Sequence, residues 1–175
     1  MLVGKKLFAS PEAKVTELKY PLVKDAAVVV STWDFGKEAN AAAWTILGTG
    51  GRALDAVEKG VMVPEADPNN QSVGLGGRPD RDGHVTLDAC IMDELGNCGS
   101  VCALEHIKHP ISVARRVMEK TPHVMLVGAG AQQFAISEGF SLESGELSKD
   151  AKNAYESWLK KSTYKPNNKF LYCWK

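Results

Sequence analysis

Apolar positions in this chain fall into short runs whose period changes along its length. Residues 26–33, Ala-Ala-Val-Val-Val-Ser-Thr-Trp, form a continuous β-branched run, which predicts a strand buried on both faces and ending at Trp33. Over residues 37–47 the period becomes helical, with Ala39, Ala42, Ala43, Trp44, Ile46 and Leu47 on one side and Gly48, Gly50 and Gly51 ending the segment. A second helix is predicted from residue 53 to about 63, with Leu54, Val57, Val61 and Met62 as its stripe and Gly60 as a weak point. Residues 84–92 switch to period two, Val85, Leu87, Ala89 and Ile91 alternating with Thr86, Asp88, Cys90 and Met92. That alternation, the turn at residues 93–97 and the run at 98–103 predict an antiparallel hairpin. Pro110 then opens a helix ended near Pro122, followed by a short strand at 123–128, a helix at 129–137 and another at 149–160.

A strand, two helices, a hairpin and further helices make a layered α/β (α+β) chain. Residues 1–25 read as an N-terminal arm, residues 26–166 as the structured portion, and residues 167–175 as a divergent tail without pattern. With 175 residues, 44% apolar and 24% charged, the chain suits one globular domain. Lys plus Arg equals Asp plus Glu at 21 each, so the basic footprint expected of a nucleic-acid or anionic-membrane binder is absent. No apolar run is long enough for a bilayer span or a signal-peptide core, which predicts a soluble chain and leaves its compartment open. Cys90, Cys98, Cys102 and Cys173 form no C-x-x-C pair. Buried thiols are the default, and one disulfide is available among Cys90, Cys98 and Cys102, which share a face of the expected hairpin.

The most distinctive stretch is residues 72–93. Gly74, Gly76 and Gly77 make a Gly-rich loop that leads through a charged turn into a strand carrying Thr86 and Asp88 on one face, a framework for a site. Other candidate chemistry is weaker. Gly128-Ala129-Gly130 lies between a strand and a helix, but Gln133 stands where a dinucleotide fingerprint has its third glycine, so a plain strand-to-helix turn is expected. His106 and His109 have metal-ligand spacing without a third partner, and a solvated turn is the better reading. His84 and His123 read as structural. A nucleophile elbow fails because Asn70 occupies the place of its first glycine ahead of Ser72. Trp33 either caps the core or walls a pocket with its indole N–H free to donate.

Four segments carry a family resemblance: Val30-Ser31-Thr32-Trp33, Gly50-Gly51-Arg52-Ala53-Leu54-Asp55-Ala56-Val57-Glu58, Ser72-Val73-Gly74-Leu75-Gly76-Gly77 and Thr86-Leu87-Asp88-Ala89-Cys90-Ile91-Met92-Asp93. Together they resemble the N-terminal half of glycosylasparaginase, and the likeness runs over residues 27–166. The resemblance implies an N-terminal-nucleophile hydrolase of the type 2 asparaginase kind, with an αββα sandwich. Such a precursor cuts itself into α and β chains and cleaves the amide between asparagine and N-acetylglucosamine, a step in glycoprotein degradation. Its nucleophile is the threonine freed at the start of the β chain, with that residue's own α-amine as base. Trp33 matches the tryptophan lining the asparagine pocket. Ser72 matches the serine supporting the threonine region by hydrogen bonding.

The resemblance implies no cofactor and no metal, and a periplasmic or lysosome-like location. In the family the α chain ends just before His-Asp-Thr. Here Tyr164-Lys165-Pro166 matches the approach, the sequence then diverges, and no aspartate is followed by threonine. The expectation is therefore an α-chain portion with no catalytic residue of its own, inactive without the β-chain half as partner. An uncovered sheet face would favour oligomers or aggregation. The alternative expectation is a non-catalytic binding or regulatory module that keeps the α-chain fold.

Overall fold

The computed structural model describes residues 27–162, so the arm at 1–25 and the tail at 167–175 lie outside the described residues. Helix α1 spans Gly36–Leu47 and α2 spans Ala53–Ala66. The pair crosses closely because small residues line the contact: Ala39 and Ala43 are buried on α1, and a Cβ at Gly60 would come within 2.9 Å of the Ala39 carbonyl oxygen. Gly60, a weak point by helix propensity, is thus what the crossing requires. Helix α2 runs past its expected end and contains Pro64.

Strand β1 (Leu87–Met92) pairs antiparallel with β2 (Cys98–Leu104) through the expected hairpin. Asp93 builds its turn: Oδ1 accepts the backbone N–H groups of Leu95 and Asn97, each at 2.9 Å, and Gly96 takes φ +83°. Two residues of β2, Cys102 and Ala103, stand against Asp88 in a bulge, since Leu87 faces Leu104 whereas Ala89 faces Val101. Helix α3 (Pro110–Lys120), with Pro110 in its first turn, carries the chain to β3 (Met125–Val127), which lies parallel to β2. The result is a mixed sheet in the order β1-β2-β3.

Helix α3 packs on one face of this sheet. Val113, Ala114 and Val117 are fully buried there beside Val101, Leu104 and Ile91, with Leu126 partly buried against them. Helix α4 (Gly128–Ser137) adds Ala131 and Ala135 to the same core. Among the described residues nothing covers the opposite face: Met92, Met125 and Val127 are more than half exposed, and Asp88 and Cys90 also face outward. The period-two reading of β1 holds, and the chain is α/β as expected.

Helix α5 (Lys149–Lys161) is capped by Ser148, whose Oγ accepts the Ala151 N–H. It docks on the charged turn ahead of β1, where the Tyr155 hydroxyl donates to the Arg81 carbonyl at 3.0 Å and the Tyr155 and Trp158 rings stack at 6.2 Å.

The expectation of a doubly buried strand at 26–33 is corrected. Residues 27–31 form no strand, and Val28 and Val30 are 73% and 84% exposed. A continuous apolar run specifies burial only where neighbours exist to pair with its backbone and cover both faces, and the described residues supply neither. Trp33, 69% exposed, does not cap the core. The strand expected at 84–92 begins only at Leu87.

Candidate active-site cavity

A cavity of about 610 Å³ opens where five segments converge. Ser31, Thr32 and Trp33 form one side ahead of α1. Pro64 and Glu65 enter from the end of α2, Ser72, Val73 and Gly74 from the Gly-rich loop, residues 86–90 from the start of β1 and the residue before it, and Pro110 and Ile111 from the start of α3. Trp33 and Ser72, far apart in sequence and singled out separately, therefore line one cavity.

Local chemistry sets the loop geometry. Buried Asn70 accepts the Ser72 N–H at 2.9 Å on its side-chain oxygen, an Asx turn that orients the loop. Gly74 takes φ +67°, and a Cβ there would overlap the Glu65 main chain, so only glycine lets the loop lie on the end of α2. Across the cavity, the Asp88 carboxylate accepts the Ala103 N–H at 2.8 Å, and Ala103 has φ +50°. Cys102 also hydrogen-bonds to Asp88, which with burial holds its thiol above the usual range.

Glu65 is the residue that the sequence reading missed. It is 3% exposed, its Oε1 accepts the Ile111 N–H at 2.9 Å, and its Oε2 lies 3.3 Å from His109 Nδ1. Burial pushes its carboxyl up to about 8; the Glu58 charge adds to this and the Ile111 N–H opposes it. Burial, and then Lys108, lower the His109 imidazole. Both shifts favour the neutral form of the group. With Oε1 occupied by Ile111, a protonated Glu65 carboxyl can donate from Oε2 to Nδ1. A buried carboxylate has no signature in a single sequence; an acid two residues before a turn at Asp67 reads as surface.

The histidines are reassigned accordingly. His106, with φ +59°, precedes the helix and lies 3.5 Å from Glu105, whereas His109 occupies the residue just before α3 and its ring faces Glu65. They do not share a helical face, and the pair is not uniformly solvated, because the His109 side chain is only 21% exposed. His84 also approaches Glu105, at 3.5 Å. Among the described residues, no three His, Cys, Asp or Glu side chains are arranged to hold a metal ion. Cys90, Cys98 and Cys102 are free thiols, and the Cys90 and Cys98 sulfurs touch at 3.7 Å. Gly128 and Gly130 have open space where a Cβ would stand, and the turn there simply starts α4. No helix among the described residues is long and apolar enough to cross a membrane.

Comparison with known proteins decides the family, because the asparaginase family model matches residues 23–171. The chain belongs to the asparaginase family. It is 59% identical over 156 residues to an N(4)-(beta-N-acetylglucosaminyl)-L-asparaginase of Elizabethkingia miricola, covering 89% of this chain and 46% of that protein. Against the enzyme of the same name from Mus musculus it is 45% identical over 150 residues, 83% of this chain and 42% of the relative. An isoaspartyl peptidase of Salmonella typhimurium is 43% identical over 105 residues, 58% of this chain and 33% of that protein. The chain thus spans less than half the length of these relatives, and the resemblance to glycosylasparaginase read from the four motifs holds.

Proposed function

We propose that these residues form the substrate-pocket half of an amidohydrolase that cleaves the amide linking asparagine to N-acetylglucosamine. The carrying observation is the convergence of Trp33 and Ser72 on one cavity beside the Gly-rich loop, in a chain 59% identical to an enzyme whose name states that substrate. Trp33 supplies a flat apolar wall with an indole N–H donor, and Ser72 a hydroxyl at the pocket edge. The reacting group is a threonine hydroxyl from the part of the protein beyond these residues, released by self-cleavage of an Asp-Thr bond. Its own α-amine removes the hydroxyl proton as the oxygen attacks the amide carbon, and the leaving nitrogen takes a proton as the bond breaks. Water then hydrolyses the acyl-enzyme to release aspartate.

The bare sheet face supports the same arrangement. Met92, Met125 and Val127 present an apolar surface of the kind that a second sheet covers in a layered sandwich. The 175-residue chain alone is expected to release no aspartate from N4-(β-N-acetylglucosaminyl)-L-asparagine, whereas co-expression with a β-chain segment starting at threonine restores release. Aspartate release by the 175-residue chain alone would refute the shared-site reading, and none from the assembled pair would refute the amidohydrolase.

A further inference from the structure

Four features converge on Glu65. Its carboxyl holds the first turn of α3 through Ile111 and the preceding residue through His109, its main chain is the surface on which Gly74 lies, and its side chain reaches the cavity that Ser72 also lines. One buried residue thus joins the end of α2, the Gly-rich loop and the start of α3, the loop through its main chain and α3 through its side chain. A buried carboxyl is costly to keep in a core that could have used an apolar residue, and here its two oxygens are spent on fixing neighbouring segments.

We propose that Glu65 is a positioning residue for the cavity, holding the Ser72–Gly74 wall in register with the α3 N-terminus through its paired contacts to Ile111 and His109. The role of the cavity as a substrate pocket rests on the amidohydrolase reading above; the mechanical coupling does not. Deprotonating Glu65 would place a negative charge at the junction, break the donation to His109 and strengthen the pull on Ile111, so the wall should move with the proton. The charges that bear on this pair are Glu58 and Lys59 from α2, Lys108 ahead of α3, and Glu143 from the segment after α4. None is hydrogen-bonded to either Glu65 oxygen in the described contacts.

The test reads backbone amide resonances of the full chain, without substrate, between pH 5 and 10. Ile111, which donates to Glu65, should titrate with a midpoint near 8, and Ser72 and Gly74 should share that midpoint. Glu65→Gln, which keeps an acceptor for Ile111 and an N–H donor for His109, should abolish all three titrations while leaving the spectrum folded. His109→Gln should move the midpoint without abolishing it. Titration of Ile111 with Ser72 and Gly74 flat would overturn the proposal, as would a shared midpoint that persists in Glu65→Gln. In the assembled enzyme, the same coupling predicts a KM for the glycosylasparagine that rises above pH 8 in wild type and stays level in Glu65→Gln, with kcat less affected. The amide resonances decide the coupling even if no amidase activity is found, which would count against the amidohydrolase alone.

Discussion

Asp88 stands opposite the β2 bulge and takes the Ala103 N–H that the strand ladder leaves unpaired, at 2.8 Å. A side-chain acceptor completes the sheet at the point where β1 enters the cavity. Asp88→Ala leaves that N–H to water and should cost about 1 kcal/mol, because the site is exposed. Asp88→Asn, whose amide oxygen can still accept, should recover much of the loss. Chemical denaturation of the three proteins measures the difference.

Glu65 makes stability fall as pH rises. Its carboxyl is raised from an ordinary 4.5 to about 8, chiefly by burial, so the folded state holds the proton that the unfolded state has lost. The contribution is complete below the unfolded value and disappears as pH rises through the folded one, a loss on the order of 5 kcal/mol. His109 acts in the other direction. Burial lowers its folded value below the ordinary 6.5, so the unfolded state takes up the proton first and stability falls as pH drops below that point. Thermal unfolding from pH 5 to 9 should show a flatter alkaline limb in Glu65→Gln and a flatter acidic limb in His109→Gln.

Arg115 binds α3 to α2. Its guanidinium meets Asp55 at 2.7 Å, Glu58 at 2.6 Å and Glu119 at 2.8 Å, with only 19% of the side chain exposed. Partial burial would lower its pKa, but the hydrogen bonds to Glu119, Glu58 and Asp55 outweigh that and raise it, so the charge is permanent. Arg115→Met keeps the packing of the stem, leaves three acids facing one another, and should cost about 2 kcal/mol, between the values for exposed and buried pairs. Chemical denaturation of wild type and variant measures the loss.

Gly99 sets how closely α3 approaches the sheet. A Cβ there would lie 2.6 Å from the Met118 nitrogen and overlap the Ala114 carbonyl, both main-chain atoms that cannot swing aside. Gly99→Ala should therefore cost about 1–3 kcal/mol, and Gly99→Val more. Loss of cooperative unfolding in Gly99→Val, with secondary structure retained, would mark the separation of helix and sheet.

Much of the fold was legible because short-range rules decide it. The alternation through Leu87, Ala89 and Ile91 fixed which face of β1 is buried, Pro110 opened α3, and the four motifs carried the family likeness. Trp33 and Ser72 were named from those motifs, and the fold places both at one cavity.

What the sequence determined alone was the local periodicity, the turns and the family, each encoded by residues a few positions apart. Tertiary structure decided the rest. It left Val28 and Val30 exposed and residues 27–31 outside any sheet, since an apolar run is a strand only when another strand accepts its backbone. It made Gly60 a helix contact instead of a flaw, and it buried Glu65 against a histidine and an amide 44 and 46 residues away. Burial and long-range pairing are properties of neighbours in space, and no spacing along the chain records them.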